Sequence, residues 1–264
     1  MTLGLLTLQF LLCAVLIAGA GYVLCQSADR IAKATGLTTV TSLPELASGI
    51  SAVTVIEAPN LAVGNALGAC VVNLVFLVVI DALQRRQPIY RHASAAHLLS
   101  AAFGVVMLGF VAMSLLLPKH APTLLHLGLY SPVLLAQMMG WSRSFVGTLF
   151  MAFVTTLPEI AVTLSALRLR ALDMAIGNLL GSNLFNVTIL AIDDLFYTRG
   201  PLLADASPVH GGTAIAAVVM SGLVMIGLVM RPQGRELRVL SWVSAGLLAT
   251  YLFNAALVFL YGGA

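Results

Sequence analysis

Thr41-Ser42-Leu43-Pro44-Glu45 and Thr155-Thr156-Leu157-Pro158-Glu159 are nearly the same five residues, 114 positions apart in a chain of 264. Each is followed by a second matching stretch. Gly64-Asn65-Ala66-Leu67-Gly68-Ala69-Cys70-Val71-Val72-Asn73 follows the first. Gly177-Asn178-Leu179-Leu180-Gly181-Ser182-Asn183-Leu184-Phe185-Asn186 follows the second. Each copy places a proline and an ionisable carboxyl within an apolar run, then a run rich in glycine and amides. A carboxylate at membrane depth costs several kcal/mol and marks a functional site by default. A duplicated one predicts a transporter built from two repeats, with the site where they meet.

Composition supports a membrane setting. The chain is 60 % hydrophobic and 9 % charged, against about 25 % charged in an average soluble domain. Crossing a ~30 Å hydrocarbon core takes about 20 helical residues. Eight runs meet or approach that length, at about 3–25, 38–56, 59–81, 95–117, 144–167, 172–192, 211–230 and 240–261. Period-two alternation is absent, so the spans are read as helices. The run 3–25 has no basic residue ahead of it and no small-residue cleavage site in a polar region, so it is expected to be a retained first helix. Cys13, Cys25 and Cys70 are widely spaced and give no disulfide framework or metal spacing.

A ninth run, 122–139, is shorter and holds His126, Gly128, Pro132 and Gln137. If it adds no crossing and the N-terminus is outside, ten basic residues are cytoplasmic: Arg30, Lys33, Arg85, Arg86, Arg91, Arg168, Arg170, Arg231, Arg235 and Arg238. Lys119, Arg143 and Arg199 are then the three outside. A full crossing reduces the split to seven against six. The enrichment of Lys and Arg in cytoplasmic loops favours the first arrangement, with both termini outside. The same arrangement makes the two Pro-Glu helices run in opposite directions, as inverted repeats require. The segment is therefore expected to be re-entrant, peripheral or irregular.

The chemistry of the motif follows from its residue types. Proline lacks an amide hydrogen and releases a carbonyl one turn back. Thr41, Ser42, Thr155 and Thr156 add hydroxyls, and Glu45 and Glu159 lie about one helical turn further on. Asn73, Ser182 and Asn186 add amide and hydroxyl oxygens from the glycine-rich stretches. All are hard oxygen ligands, suited to Na⁺ or Ca²⁺ and not to zinc or copper. The competing explanation is structural, since membrane helices often carry proline kinks with Ser or Thr bonded back to the helix. Two buried glutamates are not accounted for in that way. Gly64, Gly68, Gly177 and Gly181 let helices approach closely, and Asn65 and Asn178 fit a helix-bridging role. Asp81, Asp193 and Asp194 fall at helix ends, where a solvated carboxylate is ordinary. Glu57 and Asp173 are expected to cap the helices that follow them. His92, His97, His120, His126 and His210 share no metal spacing, and no nucleophile–base pair or nucleotide loop stands out. An enzyme is not expected, nor a nucleic-acid partner, a cofactor or a soluble domain.

Taken together, the two motif pairs resemble the α-repeats of the calcium:cation antiporter superfamily, and within it the sodium/calcium exchanger family. Val146-Gly147 and Ala175-Ile176-Gly177-Asn178 also fit its pattern. The resemblance implies an all-α polytopic membrane protein with an inverted-repeat, exchanger-like fold of about 8–9 helices in place of 10. It implies a first repeat over 1–119 (core 28–81), a shortened connector over 120–141 and a second repeat over 142–264 (core 142–192). It implies a cation site midway through the bilayer, with Thr41, Ser42, Glu45, Asn73, Thr155, Thr156, Glu159, Ser182 and Asn186 as ligands. The function implied is antiport of Ca²⁺ against Na⁺ or H⁺ by alternating access in the plasma (inner) membrane. The partners are inorganic cations and the lipid bilayer; oligomeric state is left open.

The chain departs from the family pattern in four places. Gly36 and Pro44 are 8 residues apart, against 18 between Gly140 and Pro158, a loss worth roughly 15 Å of helix. One short segment, 122–139, stands where family members have two helices and a linker. Ala69 and Cys70 replace a serine and an asparagine. Asn186 replaces an aspartate found in many members. With Glu45 and Glu159 alone supplying charge, the site balances one Ca²⁺ or two monovalent cations. The alternative is a degenerate relative that binds cations, or only packs as a scaffold, without completing a transport cycle.

Overall fold

The computed structural model describes residues 42–84, 87–91, 93–116, 148, 151–232 and 240–262. The first predicted helix, the whole connector 120–141 with 122–139, and Thr41 lie outside these residues. The described residues form helices α1 (Leu43–Thr54), α2 (Pro59–Leu83), α3 (Ala96–Leu116), α4 (Ala152–Thr155), α5 (Leu157–Arg168), α6 (Leu172–Phe196), α7 (Leu202–Asp205), α8 (Val209–Met230) and α9 (Trp242–Tyr261), with a 3₁₀ turn at Ile89–Arg91.

Five of these helices, α2, α3, α6, α8 and α9, are long and apolar enough to cross a membrane. The two that carry Pro-Glu are not. Helices α1 and α5 have 12 residues each, about 18 Å at 1.5 Å per residue. Each begins one residue before its proline, which occupies one of the first two helical positions, where the missing amide hydrogen costs nothing. The expected kinks inside 38–56 and 144–167 are thus a helix start at Leu43 and a break at Thr156 between α4 and α5. Each half-helix therefore presents its N-terminus, the positive end of its dipole, to the protein interior, with Glu45 or Glu159 in its first turn. That end favours a carboxylate.

The long helices sort by exposure. Helix α2 is buried along most of its length and packs on α1, α6, α8 and α9. The outer helices carry apolar side chains outward. On α3, Leu99, Phe103, Val106, Phe110 and Met113 are exposed at helical spacing, as a lipid-facing stripe must be.

Carboxylates at the helix ends do more than the sequence implied. Asp81 is fully buried. It accepts the Ile89 amide (3.1 Å), the Ser241 amide (3.0 Å), Ser241 Oγ (2.8 Å) and Ser244 Oγ (2.7 Å), so it ties the end of α2 to the start of α9. Asp194 is exposed as expected, but it accepts the Leu202 amide at 2.6 Å. Asp193 is fully buried. Asp173 caps across helices, accepting the Ser94 amide (2.7 Å) and pairing with His97 Nε2 (3.0 Å) ahead of α3. Glu57, with φ of 48°, pairs with Arg199 instead of capping α2.

Asp81→Ala leaves buried donors on two elements without an acceptor, at about 1–3 kcal/mol each. The expected result is a clear fall in the melting temperature of the detergent-solubilised protein. Gly68→Ala should also destabilise it, because the added Cβ would stand 2.6 Å from Ala152 Cβ, an overpacking cost of about 1–3 kcal/mol. Gly109→Ala, with nothing described within 4 Å of its Cβ, should leave the melting temperature unchanged.

Candidate cation site between the two repeats

Helices α2 and α6 meet through reciprocal contacts of matching residues. Cys70 and Asn183 occupy the same place in the two glycine-rich stretches, as do Asn73 and Asn186. Asn183 Nδ2 donates to the Cys70 carbonyl (3.2 Å) and Cys70 Sγ points back to the Asn183 carbonyl (3.7 Å). Asn73 Nδ2 donates to Asn183 Oδ1 at 3.1 Å, and the Cys70 thiol faces Asn186. Advancing from 70 to 73 on α2 thus retreats from 186 to 183 on α6. The helices are antiparallel, and the repeats are related by an inverting two-fold.

The amides of the glycine-rich stretches bind the Pro-Glu half-helices in the same way twice. Asn65 Nδ2 donates to the Glu45 carbonyl (3.3 Å) and to Ser48 Oγ (3.0 Å). Asn178 Nδ2 donates to the Glu159 carbonyl (3.2 Å) and to Thr163 Oγ1 (3.2 Å). Their helix-bridging role is therefore visible in both halves. Gly64, Gly68 and Gly177 make close approaches. A Cβ on Gly64 would stand 3.1 Å from the Thr148 amide nitrogen, and one on Gly177 would stand 3.3 Å from His97 Cε1. Nothing described lies within 4 Å of a Cβ on Gly181.

The described ligand residues of the prediction are all buried. Ser42, Glu45, Thr156 and Glu159 have no exposed surface, and Asn73, Thr155, Ser182 and Asn186 are 5 % exposed or less. Ser42 stands at the N-cap of α1 but does not cap it. Its hydroxyl instead donates across the repeat boundary to Glu159 Oε1 at 2.7 Å. In the reciprocal direction, the Glu45 carboxyl faces Thr155, Thr156 and the Glu159 carboxyl. The symmetry is incomplete, because neither Glu45 oxygen makes a hydrogen bond of normal geometry. The Thr156 hydroxyl donates back to the Ala152 carbonyl. The Thr155 hydroxyl has one proton and three acceptors: Asn65 Oδ1 (3.0 Å), the Met151 carbonyl (3.0 Å) and the Ala152 carbonyl (3.2 Å). Back-bonding of this kind was the structural explanation of the motif. It spends the hydroxyl proton on the helix and leaves oxygen lone pairs for another partner.

Four predicted ligands share one property. Both Glu45 oxygens, Asn73 Oδ1, Ser182 Oγ and Asn186 Oδ1 are buried and lack a hydrogen-bond partner. Native proteins satisfy most such atoms, and each exception calls for an explanation. These are acceptor oxygens from both repeats, and the Glu45 carboxyl faces that of Glu159. That donor set suits a hard cation and excludes an anion. Asn183 was missed as a site residue by sequence reasoning. The signal was its alignment with Cys70, which places it on the symmetry axis.

A multi-pass membrane protein of inverted repeats, with acidic half-helices facing each other, defines an ion-transporter class of fold. The chain belongs to the sodium/calcium exchanger protein family, whose pattern it matches twice, over residues 5–135 and 129–260. It is 32 % identical over 128 residues to the sodium/calcium exchanger MaX1 of Methanosarcina acetivorans, covering 48 % of this chain and 34 % of that one. It is 29 % identical over 99 residues to the putative antiporter CaxA of Alkalimonas amylolytica, covering 38 % and 30 %. The matches thus span about a third of the length of these two relatives. The inner membrane protein YrbG of Escherichia coli is 25 % identical over 251 residues, with 68 % of this chain and 77 % of that one covered. In fold, the chain is similar to a solved structure of the sodium-calcium exchanger NCX_Mj soaked with Na⁺ and Sr²⁺. The TM-score is 0.60 at 19 % identity, over 96 % of this chain and 98 % of the other.

Asn183→Ala removes the acceptor of Asn73 and the donor to Cys70 at the repeat boundary. We expect a loss of about 1–3 kcal/mol, read as a lower melting temperature in detergent. Asn178→Ala acts within one repeat and should also leave the Asn73–Asn183 distance unchanged in a structure of the variant.

Proposed function

We propose that this chain is a cation antiporter that exchanges Ca²⁺ for Na⁺ or H⁺ by alternating access, with the cation held between the two Pro-Glu half-helices. The observation that carries this reading is the set of unpartnered acceptor oxygens drawn from both repeats, on Glu45, Asn73, Ser182 and Asn186. The remaining ligands in the proposal are Glu159, Ser42, Thr155, Thr156 and Thr41, the last outside the described residues. Family membership supports transport of inorganic cations and gives no reason to expect an enzyme.

The physical logic is one of charge and geometry. Two carboxylates match the charge of one Ca²⁺ or two monovalent ions, so the site can exchange one load for the other at little electrostatic cost. A ligand set split between two repeats couples ion binding to their relative position. Each half-helix is short and tied at its Glu carbonyl to the long helix of its own repeat, α1 to α2 by Asn65 and α5 to α6 by Asn178, so each pair can move as a unit against the other repeat. The domain division at 120–141 remains part of the proposal. So does placement in the plasma (inner) membrane with the Arg199 loop and both termini outside, which rests on the ten-to-three split of basic residues. Labelling of Arg199→Cys by a membrane-impermeant maleimide in intact cells checks the orientation; protection there would reverse it.

The transport claim is tested with purified protein in liposomes, by uptake of radiolabelled Ca²⁺ under imposed Na⁺ and pH gradients. The wild type should take up Ca²⁺ against at least one gradient. Glu45→Gln and Glu159→Gln should each reduce uptake to the level of empty liposomes. Folded wild-type protein with no uptake under either gradient would contradict antiport and favour a degenerate relative.

A further inference from the structure

Asp193 has no counterpart in the first repeat. The shift that aligns Asn73 with Asn186 places Ile80 against Asp193 and Asp81 against Asp194. Asp81 and Asp194 perform one shared task, since each accepts the backbone amide eight residues on, from Ile89 and Leu202. Asp193 performs none. Its side chain has no exposed surface, and neither carboxyl oxygen has a hydrogen-bond partner.

Its surroundings are specific. The carboxyl sits in a notch on α1 that exists because residue 49 is glycine; a Cβ there would stand 2.8 Å from Asp193 Cγ. Gly49 is one turn along α1 from Glu45, about 6 Å, and Asp193 is two turns along α6 from Asn186, about 10 Å. The carboxyl thus lies between the candidate cation site and the membrane face where α1 and α6 end.

Among the described residues, no charged group stands beside it. Helices α1, α2, α3, α5 and α7 pack against α6. Their titratable groups are engaged elsewhere or lie further off. On α1 the group is Glu45, one turn away. On α2 they are Cys70, which faces Asn186 and Glu45, and Asp81, bound to Ser241 and Ser244. On α3 His97 pairs with Asp173 of α6. Helix α5 carries Glu159, bound by Ser42, and Arg168 in its last turn. Asp205 of α7 accepts from Tyr197, and Asp194 of α6 binds Leu202. An ionised carboxylate in such a place lacks both solvent and counter-charge. The neutral acid avoids that penalty.

We propose that Asp193 is a proton-binding site that couples proton release to movement of α1, making H⁺ a coupling ion of this chain. While α1 packs on α6, the carboxyl holds its proton against Gly49. When α1 moves away, water enters the notch, the Asp193 O–H bond breaks, its electrons stay on the carboxylate, and the proton passes to water. Reclosure of α1 requires a proton to be taken up again, now by way of the candidate cation site while that site is open to the opposite side, so one proton crosses per cycle. This rests on the antiporter reading above, and Gly49, in the same helix as Glu45, is the mechanical link.

The test uses the full chain in liposomes containing a trapped pH dye, with Ca²⁺ as the added cation and no Na⁺. In the wild type, Ca²⁺ entry should drive proton exit. Asp193→Asn should keep Ca²⁺/Ca²⁺ tracer exchange and lose nearly all Ca²⁺-driven proton movement, with a flattened pH profile of uptake. Asp193→Glu should restore the proton movement. Infrared spectroscopy of the purified protein at neutral pH supplies a readout independent of transport. A carbonyl band of a protonated carboxylic acid should vanish in Asp193→Asn and shift in Asp193→Glu. Unaltered proton movement per Ca²⁺ in Asp193→Asn, or a band unaltered in both variants, would overturn the proposal. If Asp193→Asn fails to fold, the Asp193→Glu band decides. Absence of wild-type Ca²⁺ flux with the band present and sensitive to Asp193 would defeat the antiporter reading and leave the protonated Asp193 standing.

Discussion

Everything near the centre of this molecule is organised by the cost of burying two carboxyls where lipid leaves no water to solvate them. Glu45 and Glu159 have no exposed surface, and a buried like-charged pair repels strongly in a low dielectric. The chain answers with backbone first. Each proline starts a short helix, so each carboxyl sits at the positive end of a helix dipole. It answers with a hydroxyl second, Ser42 donating to Glu159 across the repeat boundary, while the Thr155 and Thr156 protons go to other acceptors. What these groups leave uncompensated is charge, and a cation is the simplest group that supplies it.

The two-fold relation between the repeats explains how one motif serves twice. Asn65 and Asn178 hold the Glu45 and Glu159 carbonyls in the same manner, and Asp81 and Asp194 each close the loop after a long helix. The departures from symmetry are equally informative. Cys70 faces Asn183 across the axis, so one amide clasps a thiol-bearing partner through its backbone. Ser42 satisfies Glu159, while Glu45 keeps two unpartnered oxygens.

Much of the site was legible in sequence because it depends on local chemistry. A Pro-Glu pair inside an apolar run, repeated, identifies the two proline-bearing helices, their opposite directions and their carboxyls without reference to packing, but not that the helices start anew beside their prolines. Burial of Ser42, Asn73, Ser182 and Asn186 then follows from their position on the apolar faces. What could not be read was pairing over long sequence distances. Asp81 looks like a solvated helix end until Ser241, 160 residues away, is brought to it. Asp173 stands where a cap of its own helix is expected, yet it serves Ser94 and His97 at the start of α3. Asn183 is chemically like its neighbours Asn178 and Asn186, and only the antiparallel crossing of α2 and α6 gives it the axis. Asp193 is distinguished from Asp194 solely by the direction its side chain faces on the helix, which one residue of rotation decides.

The central claim is that one cation site is shared between the repeats, and a double-mutant cycle of Ca²⁺ binding tests it most directly. Ca²⁺ affinity of purified protein is measured by calorimetry for the wild type, Ser42→Ala, Glu159→Gln and the double variant. A shared site predicts one Ca²⁺ per chain and a coupling energy between the two positions of about 0.5–3 kcal/mol, as for residues in one network. Strict additivity of the two changes, or Ca²⁺ affinity untouched by either, would contradict it.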